Sequence, residues 1–137
     1  MNFEYPCRIE PGEEHGYIAQ FIDVEEAFTC GETIEECLHN AEEILTTMLS
    51  IRLENDDEIP RPTAGRHKYK IAPAAAVQAA LLVKFSRQGK PLADLARTLG
   101  VTWPVVQRLE NPKHSPTLKQ LERAAAALGK RLIISFE

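Results

Sequence analysis

Apolar and polar residues alternate from the start of the chain. Phe3, Tyr5, Cys7 and Ile9 interleave with Glu4, Pro6, Arg8 and Glu10. A period of two places the sets on opposite faces of a strand. Pro6 has no N–H for a ladder, which argues against a central position. Residues 11–16 (PGEEHG) read as a turn. Residues 17–24 are apolar on both faces, so a central strand is expected, paired antiparallel with the first. A short third strand is expected around 27–30. The rhythm then changes. Thr33-Ile34-Glu35-Glu36 is a capping box that opens a helix over about residues 34–54. Ile34, Leu38, Ala41, Leu45 and Met48 form its apolar stripe, and Arg52 continues the spacing as a charged exception. Asn55-Asp56-Asp57 stops it, residues 59–65 form a Pro- and Gly-containing loop, and 67–72 are the last strand. The result is a ββ(β)αβ layer of helix on sheet.

From Pro73 onward the pattern is helical. Val77, Leu81, Leu82 and Phe85 give the first helix a core face, and Gly89 ends it. Leu92, Leu95, Ala96 and Leu99 form the stripe of a second, with Pro91 at its first position, where a missing N–H costs nothing. Gly100 can adopt the left-handed conformation that ends this helix. Thr102 then caps a third helix, which turns Val106 and Leu109 inward. Ser115 caps and Pro116 begins a fourth, with Leu118, Leu121, Ala124, Ala125 and Leu128 inside. Residues 131–136 (RLIISF) read as a short terminal strand. The expected class is α+β, with a sheet/helix domain over 1–72 and a four-helix module with a terminal strand over 73–137.

Charge divides the chain in the same way. The 137 residues carry a net charge of −4. Ten Lys/Arg and four Asp/Glu leave residues 84–137 at +6, whereas six and sixteen leave residues 1–83 at −10. Two modules with different partners are expected: phosphate for the basic half, a basic protein for the acidic half. No segment approaches the ~20 consecutive apolar residues of a membrane span, and the N-terminus lacks the basic start and apolar core of a signal peptide. Cys7, Cys30 and Cys37 are odd in number without a CxxC pair, so reduced thiols and a cytoplasmic location are expected, with no metal or cofactor.

Residues 92–110 (LADLARTLGVTWPVVQRLE) look like the central pair of a helix-turn-helix, whose second helix enters the major groove. Base-facing positions would be Trp103, Pro104, Gln107 and Arg108. Arg reads guanine and Gln can read adenine. Trp103 either packs on thymine methyls or belongs to the core, and Arg108 has Glu110 or Glu122 as an alternative partner. Lys90, Arg97, Thr102 and Lys113 are candidates for phosphate. Leu132, Ile133, Ile134, Ser135 and Phe136 would form an apolar edge without a partner in a helical module. Antiparallel pairing of two copies there would give a dimer with recognition helices about one DNA turn apart, and self-association of both domains would give a tetramer.

The order FEYPCRIEP, GYIAQFIDVEEAFTCGETIEECLHNAEEIL and EIPRP resembles the N-terminal domain of HicB antitoxins. The later pattern L-A-x-L-A-x-x-L-G-V-T through S-P-T-L-x-x-L is similar to Xre/Cro-like repressor modules, which one branch of that family carries at its C-terminus. Two departures are visible. Asp23-Val24-Glu25-Glu26 lacks the proline the family places after the strand-ending aspartate, and Leu92 and Trp103 stand where Xre/Cro-like modules often have Gln. The resemblance implies a truncated ribonuclease H-like N-terminal fold. It also implies an antitoxin that covers the active site of a HicA-like, mRNA-cleaving toxin and represses its operon by binding operator DNA. Asp23, Glu25 and Glu26, in the loop after the second strand, are the candidates for toxin contact.

Catalysis is not expected. Ribonuclease H chemistry needs carboxylates converging on two metal ions. Glu4 and Glu10 lie six residues apart on a strand rising ~3.3 Å per residue, too far to share a metal. His15, His39, His67 and His114 sit apart in turns, loops or on an exposed helix face, with no nucleophile–base arrangement. Two other readings remain open at this point: a ligand-sensing repressor without a toxin partner, and a residual nuclease dependent on Asp23.

Overall fold

A computed structural model describes all residues, 1–137. The chain divides into two compact units, Met1–Gln78 and Ala79–Glu137. The first contains β1 (Tyr5–Pro11), β2 (Tyr17–Phe21), β3 (Phe28–Gly31), α1 (Ile34–Glu54) and β4 (Tyr69–Ile71). Its sheet is antiparallel, in the order β3-β2-β1-β4. β2 is central, as its apolar faces predict. β1 is central too, contrary to the expectation drawn from Pro6. The reason lies at the end of the ladder. The Pro6 carbonyl accepts from Ile22 N–H at 3.2 Å, one position beyond the last β1–β2 partner pair, Cys7↔Phe21. Only the reciprocal bond is lost, where pairing is ending anyway.

One face of this sheet packs on α1. Tyr5, Cys7, Ala19 and Phe21 from the sheet meet a helix stripe of Cys37, Ala41, Leu45 and Leu49, all buried. That stripe runs in steps of four, shares Ala41 and Leu45 with the expected one, and crosses the same face obliquely. Leu38 and Met48 flank it half-buried, and Ile34 is exposed. Cys37, at one end of this oblique line, lies against Gly31. A Cβ on Gly31 would lie 2.5 Å from the backbone nitrogen of Cys37, so the end of β3 sits directly on the first turns of α1. Thr33 caps the helix, its Oγ1 accepting from Glu36 N–H at 3.1 Å, but Glu36 does not return the bond that a full capping box requires.

The second unit draws one core from four helices. α2 (Ala75–Ser86) begins in the first unit and continues into the second, followed by α3 (Leu92–Leu99), α4 (Trp103–Leu109) and α5 (Leu118–Ala127). Val83, Leu95, Ala96, Val106, Leu109 and Ala124 form the buried centre, and Leu92, Leu99, Leu121 and Leu128 pack around it. Gly100 takes the left-handed conformation (φ 69°) and closes α3. Two boundaries shift. Pro91 is the cap rather than the first helical residue of α3, and α5 is capped by Thr117, not Ser115. Thr117 and Gln120 form a reciprocal capping box, so the helix starts two residues later and Leu118, in its first turn, is exposed.

The expected terminal strand is absent. Residues 131–137 form no ladder, Leu132 is half-buried, and Ile133, Ile134 and Phe136 are exposed. A strand exists only against a second backbone row, and the unit's other elements are all helices.

Candidate functional site

The acidic candidates lie in the loop after β2, and two of the three are engaged within their own unit. The Asp23 carboxylate accepts from Thr63, from its N–H at 2.9 Å and from its hydroxyl. This ties the Pro-containing loop to the end of β2. Tyr5 anchors the same loop, its hydroxyl donating to the Pro60 carbonyl at 2.8 Å. Burial, with the nearby Asp23 charge adding, raises the Tyr5 pKa well above the usual phenol value, so the hydroxyl remains a donor. Glu26 accepts two bonds from Arg52, at 2.6 and 2.7 Å, and Arg52 also donates to the Glu58 carbonyl at 3.1 Å. The guanidinium holds the Glu26 carboxyl below the usual carboxylate range. Glu25 is exposed at the turn that Ala27 N–H closes on the Val24 carbonyl, and it is the one candidate whose side chain is turned out to solvent with no such bond.

Sequence reasoning missed Thr63, Tyr5 and Gln20 as loop anchors. The Gln20 amide donates to the carbonyls of Phe21, Glu25 and Ala27. Arg52 left a trace in the sequence as the charged position in an apolar stripe. Cys7 and Cys37 are buried and Cys30 is exposed, all as free thiols. Burial, with Cys37 adding, pushes the Cys7 thiol up to about 11. No three His, Cys, Asp or Glu side chains come together in a way that would hold a metal ion.

In the basic unit the candidates share one short helix and its flanks. Val106 and Leu109 are buried, whereas Trp103, Pro104, Gln107 and Arg108 are exposed. Trp103 is 48% exposed, which excludes the core reading. Thr102 occupies the cap position of α4 without a side-chain capping bond. Glu110 is bound by Arg87 and not by Arg108. Arg97 pairs with Asp94 one turn earlier on α3. The Lys90 carbonyl accepts from Arg87, and Lys113 N–H donates to Asn111 Oδ1 at 3.0 Å. Lys90, Arg97, Thr102 and Lys113 are all exposed.

The chain thus joins a small antiparallel sheet packed on one helix to a unit of four short helices. Residues 4–80 match the family described as HicB-like antitoxin of bacterial toxin–antitoxin system. The chain is 32% identical to Antitoxin HicB 1 of Photorhabdus laumondii over 99% of its length and 88% of that protein's. It is 32% identical to Antitoxin HicB of Escherichia coli K12 over 93% and 95%, and 32% identical to Antitoxin HicB of Pseudomonas fluorescens over 98% and 94%. The chain belongs to the HicB antitoxin family, and is therefore an antitoxin of a toxin–antitoxin system and not an enzyme. No helix is long and apolar enough to cross a membrane.

Proposed function

We propose that the chain both neutralises a HicA-like ribonuclease toxin and represses its own operon, using different parts for each task. Residues 1–72 cover the toxin's active site; the fold there is read as a truncated ribonuclease H. Residues 73–137 bind operator DNA as a helix-turn-helix. The observation that carries the second half is the geometry of α3, left-handed Gly100 and α4. One side of α4 is committed to the core through Val106 and Leu109, and Trp103, Pro104, Gln107 and Arg108 are left free for base edges. Lys90, Arg97, Thr102 and Lys113 would contact phosphate, Arg97 after exchanging Asp94 for it.

The charge division supports the first half, since a surface built for RNA is basic and residues 1–83 carry −10. Glu25 remains a toxin-contact candidate, whereas Asp23 and Glu26 shape the loop that presents it. Two copies would pair through residues 132–136, the exposed apolar segment that has no ladder in the single chain.

The test is twofold. Co-expression of the full chain should restore growth to cells making the toxin of its operon, and the purified chain should shift its own promoter fragment at concentrations that leave scrambled DNA free. Growth rescue without promoter binding would remove the repressor half. Promoter binding without rescue would remove the antitoxin mechanism.

A further inference from the structure

The helix α1 covers only one face of the β3-β2-β1-β4 sheet. Strand alternation puts Arg8 and Glu10 of β1, Ile18 and Gln20 of β2, and Phe28 and Cys30 of β3 on the other face, and all six are exposed. Antiparallel sheets that face water usually turn polar residues outward. Here two large apolar side chains break that rule, Phe28 at 60% and Ile18 at 48% exposure. They are diagonal neighbours, since Ile18 pairs with Cys30 and Gln20 with Phe28. This is the spacing at which aromatic and branched side chains make one contiguous patch.

The surroundings of the patch are ordered and charged. Glu10 stands directly opposite Ile18 in register, and the adjoining β1–β2 turn carries Glu13 and Glu14. His15 of that turn contacts Glu32, just past β3, at 3.3 Å. At the other end Arg8 pairs with Gln20, and Lys70 of β4 pairs with Pro6, so the acids collect on the turn side. Beside Phe28, a hollow of about 400 Å³ is lined by Arg8, Gln20, Phe21, Ile22 and Glu25. The three bonds from the Gln20 amide hold its rim in place before anything binds.

From this we infer that the bare sheet face, centred on Phe28 and Ile18, is where the toxin docks, with Glu10, Glu13 and Glu14 meeting its cationic RNA-binding surface. The inference rests on the antitoxin reading above and locates its contact surface. An aromatic anchor within a polar rim is the usual anatomy of a protein interface. A second copy is a poorer occupant, because two units of −10 would bring like charges together. The outer side of α1 has acids without a comparable aromatic anchor.

The test uses the full chain and a catalytically inactive form of the operon's toxin in a binding titration. Phe28→Lys and Ile18→Lys should each weaken binding by about 30-fold or more, and Phe28→Ala, which adds no charge, by about 10-fold. Promoter affinity and thermal midpoint should stay at wild-type values, as both side chains lie outside the core. Glu42→Lys on the exposed side of α1 should change toxin affinity less than about threefold. Wild-type toxin binding by Phe28→Lys and Ile18→Lys overturns the inference and leaves the antitoxin reading standing. So does loss of self-association in either variant with toxin affinity intact, which would make the face a contact between copies. Failure of the wild-type chain to bind toxin overturns both.

Discussion

Arg87 and Glu110 meet along two parallel bonds, Nε to Oε2 at 2.5 Å and Nη2 to Oε1 at 2.8 Å, with 14% and 10% of their side-chain surfaces exposed. Glu110 caps the C-terminal end of α4, and Arg87 follows α2. The pair therefore fixes the end of the helix that carries Gln107 and Arg108. Removing one partner leaves the other charge poorly hydrated, at a cost of about 3 kcal/mol. Arg87→Met should destabilise the second unit by about that amount, and Glu110→Leu on the same background should recover much of it. The single tryptophan, Trp103, lies in this unit and reports its unfolding in urea by fluorescence. Strictly additive losses would show that the two residues do not act together.

Gly31 tests the packing of the first unit. A Cβ there would come within 2.5 Å of Cys37 N and 2.8 Å of its Cα, both backbone atoms that cannot rotate away. Gly31→Ala should cost about 2 kcal/mol or more by forcing β3 off α1. Denaturation followed by circular dichroism should show loss of the sheet unit at lower temperature, with promoter affinity retained. An unchanged midpoint would contradict the close approach.

The Arg52–Glu26 pair predicts an acid dependence. The guanidinium lowers the Glu26 pKa in the folded chain, so the unfolded chain binds the extra proton first as pH falls. The pair's contribution is complete above the ordinary glutamate value of about 4.3 and is lost as pH drops through the lower folded-state value. Glu26→Gln should flatten the fall in stability of the first unit below about pH 5, and Arg52→Ala should flatten it similarly. Both side chains are partly exposed, so the change should be small and should shrink in high salt. Parallel pH profiles for wild type and Glu26→Gln would rule out the linkage.

Local pattern made much of this architecture legible in the sequence. The period of two in β1, the cap at Thr33 and the turn at Gly100 each depend on a few neighbouring residues, and each falls where it was expected. What was not legible depends on residues far apart. Pro6 argued for an edge strand because the end of its ladder is set by Ile22, sixteen residues on. The close approach of Gly31 to Cys37 is something hydropathy does not register. Asp23 and Glu26 read as toxin-contact candidates with no partner of their own in view, because Thr63 and Arg52 lie 40 and 26 residues away. Residues 131–136 have strand composition, but a strand needs a partner that composition does not supply.

That last segment yields a prediction of its own. Truncation after Lys130 removes Ile133, Ile134 and Phe136, all exposed, and leaves the four-helix core intact. The truncated chain should sediment as a monomer and lose about 100-fold or more in affinity for a two-half-site promoter, because the second half-site no longer binds as part of one molecule. A truncated chain that stays dimeric would place self-association elsewhere.

In the proposed division of labour one chain carries two separable activities, and a single variant tells them apart. Gln107→Ala/Arg108→Ala changes two exposed side chains of α4 and no core residue. Each lost base contact costs about 1–3 kcal/mol. In cells carrying the operon fused to a reporter, together with inducible toxin, this variant should release transcription while still restoring growth as well as the wild type. Continued repression, or loss of growth rescue by a folded variant, would contradict the division of labour.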